Sequence, residues 1–83
     1  MDIKNKHICI TGTLRKWSRN QAKNAVTERG AIFSNHVNTL TDFLVVADGT
    51  PMTEKIAKAI ELMESGAGIR FMDEKEFYRA VKA

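Results

Sequence analysis

The chain has 83 residues, of which 43% are apolar and 28% charged, a balance that fits one folded domain with a modest core and excludes a disordered polymer. No run approaches the roughly 20 apolar residues that cross a bilayer, no apolar signal segment stands near the amino terminus, and a lone Cys9 allows no internal disulfide. The net charge of +3 is unevenly placed: Ile3 to Thr27 holds six basic and no acidic residues, whereas residues 28–83 hold seven basic and nine acidic. These features predict an intracellular protein with an anionic partner and no membrane contact.

His7 to Ile10 is an apolar run with Ile at two positions, ending at a turn signal, and predicts a first strand. Cys9 inside it reads as a small core residue rather than a reactive thiol. Ser18 is the predicted N-cap of a helix over RNQAKNAVTERG, in which Ala22, Ala25, Val26 and Arg29 follow helical spacing and Gly30 ends the helix. Small alanines let this helix sit close to a sheet, while Arg19 and Lys23, four apart, share a stripe toward solvent or a ligand. Ala31 to Ser34 predicts a short second strand, and Val37 to Thr41 is a polar link. Phe43 to Ala47, FLVVA, reads as a strand buried on both faces of a parallel sheet. Asp48-Gly49-Thr50-Pro51 is loop chemistry, after which Thr53 caps a helix with Ile56, Ala59, Ile60 and Met63 as its core stripe. Ile69 to Met72 predicts a fourth strand, and Asp73 caps a last helix in which Phe77, Tyr78 and Val81 are spaced to pack inward.

The order β-α-β-β-α-β-α predicts an α/β fold with a mainly parallel sheet and helices on both faces, in a single domain over residues 1–83. Met1 and the lack of a linker fit either a complete small protein or a domain cut at its edge.

In an open α/β sheet, ligands bind beyond the carboxyl ends of the strands. Thr11 and Gly12 stand at such an end, where a hydroxyl and an unobstructed backbone N–H can both donate to phosphate oxygens. Lys55 and Arg19 each occupy the first turn of a helix, the end that disfavours a cation by roughly 0.3–1 kcal/mol unless an anion is near. Lys55 therefore reads either as a solvated lysine balanced by Glu54 or as an anion ligand. If both helix starts converge on the first strand, Thr11, Gly12, Arg19 and Lys55 form one phosphate site. Arg15, Lys16 and Lys23 add candidate contacts to a nucleic-acid backbone. Trp17 has two readings, packing against the first helix or stacking on an exposed base.

Other chemistry is missing. His7, His36 and Cys9 lack metal-ligand spacing, so no metal is expected; no phosphate-binding or dinucleotide glycine loop occurs, so no cofactor is expected. Thr11 has no base close in sequence, and the expectation is a module that binds and does not catalyse.

The segments ICITGTL, SRNQAKNAVTERGA, VNTLTDFLVVAD, TEKIAKAIEL and IRFMDEKEF together resemble the BRCT domain, most closely the subtype of bacterial NAD-dependent DNA ligases and the replication factor C large subunit. The resemblance covers nearly the whole chain. It implies a four-stranded parallel sheet in the order 2-1-3-4 flanked by three helices. It also implies a phosphate pocket at Thr11, Gly12 and Lys55, with Arg19 in the place used to bind 5′-phosphorylated DNA ends. Two departures stand out: the usual Gly-Gly after the first helix is Gly30-Ala31, and the large Trp of the last helix is absent, with Phe77 standing where the ligase-like subtype has its aromatic. The expected function is a DNA repair or replication module that recognises phosphate on DNA ends or nicks, acting as a monomer in a bacterial or phage cytoplasm, near the nucleoid, or in a nucleus. The alternative is a module that docks a repair or replication protein or a phosphopeptide.

Overall fold

The computed structural model describes residues 2–82; Met1 and Ala83, which the single-domain reading includes, lie outside them. Seven elements follow one another: β1 (His7–Thr11), α1 (Arg19–Glu28), β2 (Ile32–Ser34), β3 (Phe43–Val46), α2 (Glu54–Glu64), β4 (Arg70–Asp73) and α3 (Glu74–Ala80). The strands form one parallel sheet in the order β2-β1-β3-β4, as the resemblance implies. Strand ends differ from the sequence reading by one residue: β1 reaches Thr11, β2 starts at Ile32, β3 stops at Val46, and β4 shifts to Arg70–Asp73. The ladder still extends past β3, because the Ala47 N–H donates to the Thr11 carbonyl at 3.1 Å.

Side chains alternate across the sheet, and this alternation divides the core in two. Ile8, Ile10, Val45 and Met72 join Ala22 and Val26 of α1 and Phe77 and Ala80 of α3 in one cluster. The interleaved Cys9 and Leu44 join Ala59 of α2, with Val37 and Ile69, in the other. FLVV is apolar without a break because both faces of the central strand β3 are covered. Truncating a fully buried side chain such as Leu44 to Ala in a core of this kind costs about 2–5 kcal/mol.

Two predicted stripes need correction. On α2 the packing side chains are Ile56, Ala59 and Leu62, while Ile60 and Met63 remain 38% and 37% exposed. A single helix covers this face with its contact ridge through Ala59; Ile60 lies about 100° around the helix from it, and Met63, on the same side as Ala59, stands in the last turn before the helix ends at Glu64. Arg29, read as part of the α1 stripe, is the exposed C-cap of that helix, where the chain turns away from the core.

Because every strand is parallel and a helix follows β1, β3 and β4, all three helices begin at the carboxyl edge of the sheet. Their caps gather there. The Ser18 hydroxyl accepts the Gln21 N–H at 3.2 Å while the Gln21 side chain accepts the Ser18 N–H at 2.8 Å. Asp73 and Glu76 make the same reciprocal pair at 2.7 and 3.1 Å. Thr53 accepts the Ile56 N–H at 3.2 Å. Such caps are each worth about 1 kcal/mol and fix where the helix dipoles point. At the other end of α1, Gly30 adopts φ +77°, the left-handed turn that a lone glycine supplies without its usual second Gly.

Candidate phosphate site at the end of β1

Thr11 is only 5% exposed, and its hydroxyl lies 2.8 Å from that of Thr53. Either hydroxyl can donate in this pair, and Thr53 also accepts the Ile56 N–H. When Thr53 is the donor, the Thr11 hydrogen is left for another acceptor. The sequence marks Thr53 as a cap; its pairing with a strand residue forty-two positions earlier has no local signal.

Gly12 has φ +89°, and a Cβ built there would collide with the Thr50 hydroxyl, which is itself held by donation to the Ala47 carbonyl at 2.6 Å. Backbone conformation and space therefore both require glycine at this turn. Gly12 lines a hollow of about 290 Å³ together with Thr13, Ser18 and Arg19. The first turn of α1 carries no acidic residue, which leaves the positive end of its dipole uncompensated at this hollow.

The two candidate cations approach the end of β1 from opposite sides. Lys55, half-buried, reaches across from α2 and donates from Nζ to the Ile10 carbonyl at 3.1 Å. Arg19, exposed, donates from Nη2 to Asn35 Oδ1 at 3.1 Å and lies 5.4 Å over the Phe33 ring. Both are felt at Cys9. Burial pushes its thiol above the ordinary range, and the Lys55 and Arg19 charges and the Ile10 backbone oppose that push without cancelling it. A single carbonyl and a single amide oxygen occupy only part of the donor capacity of an ammonium and a guanidinium.

The β1–α1 loop is fastened to α3. The Arg15 N–H donates to Glu74 Oε2 at 2.7 Å, and the Lys16 N–H to the Tyr78 hydroxyl at 3.0 Å. The Arg15 side chain stands 3.8 Å from the Asp48 carboxylate with both groups largely in water, so the pair exchanges readily for another partner. The Lys16 ammonium lies 5.2 Å over the Tyr78 ring, and Lys23 projects from the exposed face of α1. Trp17 is half-buried and meets Tyr78 and Phe77 edge-on, with ring centroids 5.2 and 6.2 Å away. Its aromatic partners come from α3, and it also packs on the core cluster that holds Ala22 and Val26 of α1, so the packing reading of Trp17 extends to both helices.

Glu74 is the residue that sequence reasoning missed. It is 2% exposed, yet its carboxylate accepts three hydrogen bonds: from Arg15 N–H, from Asp48 N–H at 3.0 Å, and from the Tyr78 hydroxyl at 2.6 Å. Burial alone raises its pKa; the bonds from Tyr78, Arg15 and Asp48, with the Arg15 charge, outweigh burial and hold the carboxyl below its ordinary range. One side chain of α3 therefore ties the loop after β1 to the loop after β3. In the sequence Glu74 is one acid among three in DEKE, a pattern that reads as dipole-matched surface charge. No cluster of three or more His, Cys, Asp or Glu suited to a metal occurs among the described residues.

A parallel 2-1-3-4 sheet flanked by three helices defines an α/β fold of one class, and the chain belongs to the BRCT family. The family model for the BRCA1 C Terminus (BRCT) domain matches residues 2–79. DNA ligase of Phytoplasma mali (strain AT) is 35% identical over 80 residues, covering 96% of this chain and 11% of the ligase. DNA ligase of Bifidobacterium animalis subsp. lactis (strain AD011) is 39% identical over 75 residues, covering 90% of this chain and 8% of the ligase. The chain therefore spans about a tenth of the length of the ligases it matches. Among solved structures, the C-terminal BRCT domain of human XRCC1 superposes with a TM-score of 0.71 at 13% identity, covering 94% of this chain and 76% of that one. The second XRCC1 BRCT domain gives 0.69 at 14% identity, with 94% and 74% covered. At these identities the structural likeness is one of fold.

Proposed function

We propose that this domain is a non-catalytic module that recognises the 5′-phosphate of a DNA end or nick during replication or repair. The observation that carries the reading is the convergence of Thr11, Gly12, Arg19 and Lys55 on the carboxyl end of β1. Gly12, Arg19 and the uncompensated start of α1 share one small hollow, while the Thr11 hydroxyl and Lys55 reach the same strand end from the α2 side, where Lys55 borders a separate hollow with His36 and Lys58; each group favours a compact dianion. Arg15, Lys16 and Lys23 supply nonspecific attraction to the adjoining strand, the part of the affinity that falls with salt. Kinship with bacterial DNA ligases supports DNA as the partner and the inside of the cell as the setting.

The test is fluorescence anisotropy with a DNA duplex bearing a recessed 5′ end, with and without its phosphate. Charge-assisted hydrogen bonds worth about 1.5–3 kcal/mol predict at least a tenfold preference for the phosphorylated end, abolished by Lys55→Ala. Equal binding of the two duplexes refutes the reading. An affinity for DNA that survives high salt contradicts the backbone contacts.

A further inference from the structure

A second concavity lies between α1 and α3 and shares Trp17 with the hollow at Gly12. Its volume, about 510 Å³, exceeds that of the hollow at Gly12. Ala25, Trp17, Tyr78 and Val81 form its walls and floor. The Tyr78 hydroxyl is committed inward to Glu74 and to the Lys16 N–H, so the ring is what Tyr78 contributes to the wall. Four cations, Lys16, Lys75, Arg79 and Lys82, rim this groove against a single acid, Glu28. None of the four makes an ion pair with another described residue. The last three belong to the part of the chain whose overall balance is acidic, so their gathering here is local.

We propose that the α1–α3 groove docks an acidic segment of a partner protein, with one bulky apolar side chain seated between Trp17 and Val81 and carboxylates meeting the rim. The floor decides the class of partner. A nucleic-acid backbone offers phosphates to the rim but nothing to an apolar floor, whereas a peptide can place a Leu or Trp there and acids on both sides. Rim charges of one sign steer such a segment and set its orientation, while the anchor in the groove supplies the affinity. This site shares Lys16 and Trp17 with the loop beside the phosphate hollow but uses none of the proposed phosphate ligands, and it stands if that reading fails.

The probe is a fluorescein-labelled peptide of about twelve Glu and Asp residues with a central Leu-Trp pair, titrated against the full chain by anisotropy and mapped by amide shifts. Saturable binding is expected, with shifts at Trp17, Ala25 and Val81. Arg79→Glu combined with Lys82→Glu should weaken it by about tenfold or more, and Lys75→Glu alone by a few-fold. Circular dichroism checks that each variant is folded, and the single exposed change at Lys75 preserves the test if the double variant is not. A peptide with Leu-Trp replaced by Ser-Ser should bind about tenfold more weakly. Equal binding of the Ser-Ser peptide, absence of binding, or displacement of the peptide by unphosphorylated duplex with the same amide shifts would each overturn the proposal.

Discussion

Replacing Glu74 by Ala tests the claim that one buried carboxylate organises both loops at the carboxyl edge of the sheet. The change removes the acceptor for Arg15 N–H, Asp48 N–H and the Tyr78 hydroxyl at 2.7, 3.0 and 2.6 Å. Hydrogen bonds to a charged partner are worth about 1.5–3 kcal/mol each, so simple addition gives roughly 4.5–9 kcal/mol. The bonds share one acceptor and its desolvation is relieved on removal, which lowers the expected loss to about 3–5 kcal/mol. For a domain of this size each kcal/mol shifts the melting temperature by about 4–8 °C, so thermal unfolding should fall by more than about 12 °C. The pH dependence has a definite sign. A carboxyl held below its ordinary pKa stabilises the fold fully above the unfolded value of about 4.5 and loses that contribution as pH falls through the lower folded value. Glu74→Gln should therefore be less stable at neutral pH and lose less on acidification than the natural chain. Urea unfolding at pH 7 and pH 3 measures both. A Glu74→Ala variant within about 1 kcal/mol of the natural protein, or an unchanged acid response in Glu74→Gln, refutes the assignment.

Gly12→Ala combines a positive φ with a collision at the Thr50 hydroxyl, and should cost about 1–3 kcal/mol in urea unfolding while abolishing the 5′-phosphate preference. Thr11→Val leaves the Thr53 cap in place and should change stability by no more than about 1 kcal/mol, yet reduce the phosphorylated-end preference about tenfold; an unchanged preference removes Thr11 from the site. Cys9 should react with a thiol reagent only at the rate of unfolding, since burial raises its pKa and closes access; rapid labelling at neutral pH would contradict that packing. The raised pKa of Tyr78, caused by burial and then by its bond to Glu74, predicts stability that is intact below about pH 10 and lost as pH rises through the folded value, which ultraviolet titration of the tyrosinate detects.

The legibility of the fold follows from the range of the interactions. Ser18, Thr53 and Asp73 announce the helix starts because capping is a contact of three residues, and FLVV announces a central strand because burial on both faces leaves no polar position. Ile60 lies off the packed stripe because helical periodicity defines a stripe but not its rotation about the axis, and Met63 stays exposed because it stands at the end of α2. The contacts of Trp17 with α3 have no local signal for a similar reason: a loop's direction is set by its anchors, and those anchors, Glu74 and Tyr78, lie about sixty residues away.

The candidate site shows the same division in sharper form. Thr11, Gly12, Arg19 and Lys55 are visible because their residue types conflict with their positions: a glycine closing a strand, cations at the wrong end of helices. What the sequence conceals is the support behind them. Thr53 pairs with the Thr11 hydroxyl, Thr50 enforces glycine at position 12, and Glu74 fastens the loop that carries Arg15 to the loop that leads into Thr53. Each of these three looks ordinary along the chain, as a cap, a turn residue and a surface acid, since their roles exist only once β1 and β3 lie side by side. A phosphate site on this fold is therefore sensitive to two kinds of change. Loss of a ligand such as Lys55 should remove discrimination and spare stability, whereas loss of Glu74 should lower both together, because the same carboxylate that stabilises the edge of the sheet holds the donors in place.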